Sequence, residues 1–331
     1  MYAPFIFGIY PGGESGGDNG LLQGPPDDPV QIHRCLNDLQ GAARPFVVRV
    51  YERFSDRDNP SRWPDRTPAC YEQYVENGRL LDMVIMFQSA RGDVAGYLDS
   101  AAELVKRHAP RLYSVQITEE ASFANGPDCI DGSYPNVLNA LVEGVSKVKQ
   151  TLRDIGRHEV RVGFNSTPTF GESGKFWERI GDLGGENFTR DLDYVALDFF
   201  PDVFRRAAPD GQPGDVVNGA RMMLETMRNE WLPAAGIGPQ VPIHIAENGW
   251  PTGPERSEER QAEVIEKVIR LVCSERERLN ITRYTLFSLR DTDSMMPGPE
   301  NDIFRFGLTR SDYSPKPAYA MFRSLIREYG C

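Results

Sequence analysis

Short apolar runs, many of them β-branched, alternate along this chain with longer stretches in which apolar residues recur every three or four positions. The first pattern reads as buried strands and the second as amphipathic helices, so the chain is expected to build repeated βα units around a parallel sheet. Strands are predicted at Phe5–Tyr10, Phe46–Arg53, Leu81–Gln88, Leu112–Thr118, Val160–Asn165, Tyr194–Phe200, the run from Val241 that ends at Glu247, and Arg283–Leu289. Helices are predicted over Asp28–Gln40, Val94–His108, Tyr134–Ile155, Lys175–Leu183, Val216–Leu232, Ser257–Leu279 and Pro317–Tyr329. Asp28-Pro29 supplies an N-cap and a first-turn proline, and Ser257-Glu-Glu an N-cap followed by two acids. Seven helices are placed, with a Pro- and Arg-rich excursion between the second and third strands, and the alternation taken as eight of each implies an α/β chain folded as a (β/α)8 barrel in a single domain over residues 1–331, with its chemistry at the carboxyl ends of the strands. A doubly wound open sheet would carry a phosphate-binding glycine loop after its first strand. Tyr10-Pro-Gly-Gly-Glu14 lacks the GxGxxG spacing, and the glycine-rich stretch from Gly12 to Gly20 has no lysine and opens no helix.

Composition narrows the class of partner. With 331 residues, 40% of them hydrophobic, the chain can bury a large core. A net charge of -11 argues against nucleic acid and anionic membranes, which need a basic face, and favours a neutral or cationic ligand. The five cysteines, Cys35, Cys70, Cys129, Cys273 and Cys331, are scattered without a CxxC pair and read as free thiols. Met1 leads directly into Phe5-Ile-Phe-Gly-Ile9 with no basic segment, and no apolar run approaches the roughly 20 residues that span a bilayer, so a cytoplasmic location is expected.

Candidate chemistry collects where strands stop. The run Val241-Pro-Ile-His-Ile-Ala-Glu-Asn-Gly-Trp-Pro-Thr-Gly253 delivers Glu247 to the end of a core strand and breaks at once into turn residues. An ionised carboxylate there costs several kcal/mol unless it is paired or hydrogen-bonded. Strand four ends in Glu119-Glu120, and Arg49, Tyr51, Gln88, Asn165, Asp198, Asn248, Trp250, Arg290 and Asp291 lie at or near other strand ends. Any one of these is an ordinary loop-entry residue. Two carboxylates on strands four and seven, opposite in an eight-strand ring with Arg and Asn beside them, fit glycoside hydrolysis. One carboxylate attacks or stabilises an oxocarbenium-like centre while the other, protonated, releases the leaving oxygen. A positive neighbour such as Arg49 favours the charged nucleophile, whose own charge keeps the proton on its partner.

The histidines, His33, His108, His158 and His244, show no HxH or HExxH spacing, and His244 alternates away from Glu247 to the outward side of its strand, so no metal site is expected. A metal-dependent barrel hydrolase would have to rest on carboxylates alone. Trp63, Trp250, Tyr51, Phe123 and Phe200 are candidates to stack on sugar faces. The acidic helix from Ser257 to Arg278 reads as a solvated outer face.

These residues resemble a family pattern. Ala246-Glu-Asn-Gly-Trp-Pro-Thr252 is similar to the strand-seven nucleophile motif of the large clan of retaining (β/α)8 glycoside hydrolases (clan GH-A), nearest in flavour to families that attack β-glucans or β-galactans. Gln116-Ile-Thr-Glu-Glu-Ala-Ser122 resembles the clan's strand-four segment, Arg49 its strand-two arginine, and Phe306 to Tyr319 the approach to its last helix. The resemblance implies that Glu247 is the nucleophile, that Glu120 is the acid/base, and that Glu119 stands where the clan has an asparagine touching the sugar 2-hydroxyl. It further implies a carbohydrate substrate and no cofactor, with hydrolysis or transglycosylation as the outcome. A non-hydrolytic carbohydrate-binding barrel is the rival expectation. Glu119 raises the possibility of an aminated or otherwise modified sugar. The clan's strand-six tyrosine is replaced by Phe199 or Phe200, so the hydrogen bond that steadies the nucleophile must come from elsewhere or be absent.

Overall fold

Eight parallel strands close on themselves: β1 (Ile6–Ile9), β2 (Phe46–Ser55), β3 (Arg79–Gln88), β4 (Leu112–Ile117), β5 (Arg161–Ser166), β6 (Tyr194–Asp198), β7 (Ile243–Asn248) and β8 (Ile281–Leu286). The ring is completed by β1, which pairs with β8 through Ile6↔Arg283 and with β2 through Phe7↔Phe46. This is a computed structural model that describes residues 5–17, 20–204, 213–296 and 299–330. Around the ring lie α1 (Pro29–Gln40), α2 (Val94–His108), α3 (Val137–Asp154), α4 (Lys175–Asp191), α5 (Pro213–Thr226), α6 (Glu258–Glu275) and α7 (Pro317–Tyr329). The (β/α)8 architecture expected from the alternation is therefore present. Among the described residues no helix is long and apolar enough to cross a membrane.

One helix of the expected eight is missing. Between β2 and β3 the chain instead adds Arg66–Thr67 antiparallel to Tyr51 and Glu52, then makes a single 3-10 turn at Tyr71–Tyr74. Pro60, Pro64 and Pro68 deny this segment the amide donors and the backbone freedom that a helix needs. Tyr71 and Tyr74 are fully buried and cover the strands where a helix face would otherwise lie. Elsewhere α4 runs past its expected end by crossing non-helical backbone at Gly185 (φ 54°), which glycine adopts without penalty. The expected helix to Leu232 leaves α5 for a π-turn at Met227–Trp231.

Strand alternation divides the core in two. Outward residues such as Ile9, Val48, Met83, Val115, Phe164 and Ile245 pack against helix residues including Leu36, Leu141, Ile265 and Phe322. The inward faces hold only small apolar clusters, among them Tyr194, Ala196 and Ala246. Much of the remaining interior is polar. Asp82 of β3 accepts from both terminal nitrogens of Arg283, at 2.8 and 3.0 Å, from Arg49 at 3.0 Å and from the Ser114 hydroxyl at 2.5 Å. Burial alone would raise the Asp82 pKa, but Arg283 and Arg49 hold it below the usual carboxylate range.

Strand β7 breaks its own alternation. Against β6, Ile245 pairs with Leu197 and Glu247 with Asp198, so two steps along β7 match one along β6. The same bulge spans Ile245 to Asn248 against Tyr284 to Leu286 of β8. The strict alternation that placed His244 on the outward side of the strand therefore fails. His244 is buried inside the barrel, its ring stacked 4.1 Å from that of Tyr194, and the extra residue lets Glu247 reach the inner cluster as well. Removing Asp82 would leave the buried Arg283 guanidinium without its carboxylate and take one of several from Arg49. Asp82→Ala is expected to lower unfolding free energy by about 3–5 kcal/mol in chemical denaturation.

Candidate active site

Arg49 and Tyr51 lie two residues apart on β2 and so share its inner face. Arg49 is fully buried, and all three of its side-chain nitrogens are engaged. Nε donates to the Tyr51 hydroxyl at 2.8 Å and to Glu247 Oε1 at 3.2 Å. Nη1 donates to Asp82 Oδ2 and Gln116 Oε1, both at 3.0 Å, and Nη2 to Glu119 Oε2 at 3.2 Å with Asp198 Oδ2 3.9 Å away. The Tyr51 hydroxyl in turn donates to Glu247 Oε1. The hydrogen bond expected from a strand-six tyrosine thus comes from β2.

Strand β4 ends in a turn that sends its two glutamates apart. Thr118 and Glu120 both adopt left-handed backbone, φ 61° and 49°. Glu119, 4% exposed, enters the cluster, where Oε2 accepts from Gln116 Nε2 at 2.6 Å and Oε1 from Asn165 Nδ2 at 3.2 Å. Glu120 is half-buried, and its amide donates to Asn165 Oδ1 at 2.9 Å. Asn165 also donates to Asp198 Oδ2, so one amide ties β5 to both β4 and β6. Asp131, in the loop after β4, clamps the turn. Its Oδ2 accepts from the amides of Phe87 and Glu119 at 2.7 Å each, and its own amide donates to the Glu119 carbonyl at 2.9 Å.

Acids outnumber the cations at this end of the barrel. Asp82, Glu119, Asp198 and Glu247 gather around Arg49 and Arg283, with Glu120 beside them, and like charges so close cannot all ionise. Burial, reinforced by the charges of Glu247 and Glu119, raises the pKa of Asp198. Burial followed by Glu119 and Glu247 does the same for Glu120. Glu119 is raised by burial and by Glu247 against the opposing pull of Arg49. Tyr51 remains a phenol, held neutral first by burial. Glu119, Asp198 and Glu247 each bring one oxygen within 4.8 Å of the others, a spacing that a cation could bridge. The Arg49 guanidinium already supplies positive charge at that point.

Of the residues singled out in the sequence, Arg49, Tyr51, Glu119, Asn165, Asp198 and Glu247 converge, with Glu120 at the margin. Five others are occupied with holding the scaffold. Gln88 donates to the Cys129 carbonyl at 3.1 Å and accepts from Ser61 at 2.9 Å. Asn248 donates to the Phe199 carbonyl at 2.7 Å and accepts from the Tyr284 hydroxyl at 2.6 Å. Trp250 is 1% exposed, with Arg256 over its ring at 4.4 Å, so its face is closed to a sugar. Arg290 holds Asp27 at 2.8 Å and the Pro25 carbonyl, while Asp291 pairs with Lys316 at 2.7 Å. Asp82, Gln116 and Asp131 are participants that sequence reasoning missed. The first two carried a signal, since each interrupts an apolar strand, whereas Asp131 in its loop carried none.

No family model and no curated protein matches the chain. Solved structures do. A family 39 glycoside hydrolase from the gut symbiont Bacteroides cellulosilyticus WH2 superposes with a TM-score of 0.57 at 15% identity, over 98% of this chain and 63% of that one. A β-glucuronidase from Ruminococcus gnavus in complex with D-glucuronic acid gives 0.60 at 13% identity, over 98% and 49%. A Lactobacillus rhamnosus β-glucuronidase gives 0.57 at 16%, over 98% and 50%. At these identities the likeness is one of fold, and the chain spans only about half to three-fifths of the length of these structures.

The Asp131 clamp has a pH signature. Burial raises its carboxyl pKa to about 7, opposed by the two amide hydrogen bonds, whereas an unfolded aspartate titrates near ~3.9. The folded chain therefore binds more protons between those values, and this group's contribution to stability is lost as pH rises across that window. Asp131→Asn, which retains an acceptor for both amides, should show a shallower loss of denaturation free energy over the same range.

Proposed function

We propose that this chain is a retaining β-glycoside hydrolase in which Glu247 attacks the anomeric carbon of a carbohydrate substrate. Glu120 protonates the departing oxygen and then activates water against the glycosyl-enzyme. The observation that carries the reading is the Arg49–Tyr51–Glu247 contact. A nucleophilic carboxylate must be ionised and aimed. Among the clustered acids Asp82, Glu119, Asp198 and Glu247, Glu247 is the one that receives both a guanidinium N–H and a phenol O–H, and those donors hold it in one orientation. Glu120 supports the complementary role. It is the more exposed of the two tandem glutamates, and burial with the charges of Glu119 and Glu247 keeps its proton in place for transfer. Glu119 is less suited to that task, because both its oxygens already accept hydrogen bonds from neighbouring side chains. The (β/α)8 fold shared with glycoside hydrolases adds context to the reading. The chemistry proposed requires no cofactor.

Turnover of aryl β-glycosides tests the proposal. Glu247→Gln should abolish it, and a 2-fluoro glycoside should label Glu247, as read by mass spectrometry of the peptide. Glu120→Gln should slow substrates with poor leaving groups far more than those with good ones, and an added azide nucleophile should restore part of the rate. Full activity in Glu120→Gln would sink the acid/base assignment, and Glu119→Gln assayed beside it identifies the replacement. A chain that binds sugars but turns over none would instead be the non-hydrolytic barrel. Tyr51→Phe removes one preorganised donor to Glu247 and should reduce kcat about a hundredfold.

A further inference from the structure

The side-chain donors of Arg49, Tyr51, Gln116 and Asn165 are all consumed inside the protein. The Arg49 nitrogens face Tyr51, Glu247, Asp82, Gln116 and Glu119. The Gln116 amide donates to the Thr118 carbonyl at 2.9 Å and to Glu119, and the Asn165 amide to Glu119 and Asp198. The Tyr51 hydroxyl goes to Glu247. Acceptors are left over. Asp198 is 1% exposed, yet its Oδ1 has no hydrogen-bond partner, a costly arrangement that a donating ligand would relieve. The next cation along β2, Arg53, gives Nη1 to the Pro64 carbonyl, and its Nη2 lies 3.9 Å from another acid, Glu14.

We infer that the sugar bound against Glu247 carries a free, protonated amine on the carbon next to the reacting one. The geometry behind this is local: Glu119 and Asp198 each bring one oxygen within 4.8 Å of a Glu247 oxygen, so if Glu247 bonds to the anomeric carbon they are the acids nearest its neighbouring substituent. An ammonium donates three hydrogen bonds and accepts none, which suits a cluster where carboxyl groups outnumber guanidinium groups and Asp198 Oδ1 has no partner. It also supplies the positive charge that the cluster lacks, so protons held on Glu119 and Asp198 could leave when it binds. A neutral hydroxyl would do less, an acetamido group would remove the charge, and a uronic acid would bring a further carboxylate into a surplus of them. The inference rests on the glycosidase reading given above.

The test compares kcat/KM of the full chain for aryl β-glycosides of glucosamine, glucose, N-acetylglucosamine and glucuronic acid, at a pH where the amine is protonated. The glucosaminide should be preferred to the glucoside by about tenfold or more, in line with one charge-assisted hydrogen bond. Glu119→Asn and Asp198→Asn, each checked for folding by thermal melting, should shrink that ratio toward one. Asp198→Asn carries the test if Glu119→Asn does not fold. Wild-type turnover with no amine preference, or with a preference for the glucuronide, overturns this inference and leaves the hydrolase reading standing. So does a preference that survives unchanged in a folded variant. Failure to turn over any of the four overturns both, unless a glycoside outside the panel is hydrolysed, in which case only the amine assignment falls.

Discussion

A guanidinium group buried at the centre of a barrel is the constraint that the rest of this molecule answers to. Arg49 has lost its water entirely, and an unpaired charge in that position would be strongly destabilising. Its fork shape decides what must surround it: acceptors in one plane, supplied by β2, β3, β4 and β7, with β6 just beyond. Each of these strands brings at least one partner to one cation, so strand register and site geometry become a single problem. The second buried arginine, Arg283, leans on the same Asp82, which extends the ionic layer across to β8. Ring closure and electrostatic balance thus depend on the same few side chains.

The site is lopsided around the ring. The side chains proposed to act on substrate come from β2 and from β4 to β7, whereas the residues after β8 tie loops together. Arg290 reaches Asp27 across 263 positions of sequence, and Lys316 reaches Asp291. The segment between β2 and β3, where no helix forms, also touches this half, since the Tyr10 hydroxyl bonds Thr67 at 2.6 Å. Loops fastened in this way keep one side of the mouth fixed.

Much of this was legible in the residues. Strand positions followed from the apolar runs, and Arg49, Glu119 and Glu247 stood out because a charge inside or at the end of a core strand demands a partner. Proline-rich sequence between β2 and β3 signalled that something irregular lay there, but the count of helices assumed a regular unit. The misplacement of His244 has a different origin. Alternation assumes one residue per step, and nothing in the run Ile-His-Ile-Ala-Glu announces a bulge. Gln88, Asn248, Trp250, Arg290 and Asp291 stood out by proximity to strand ends. Their actual partners, Cys129, Phe199, Arg256, Asp27 and Lys316, lie in other segments that only folding brings near.

The irregular step in β7 also bears on how such a protein could change. A chain of the same length that zipped β7 evenly against its neighbours would keep its backbone bonds, yet turn the acid into the wall between barrel and helices. Shape and chemistry are thus separable by a one-step slip in this strand: a descendant could keep the barrel intact while falling silent, and its outline alone would not betray the loss.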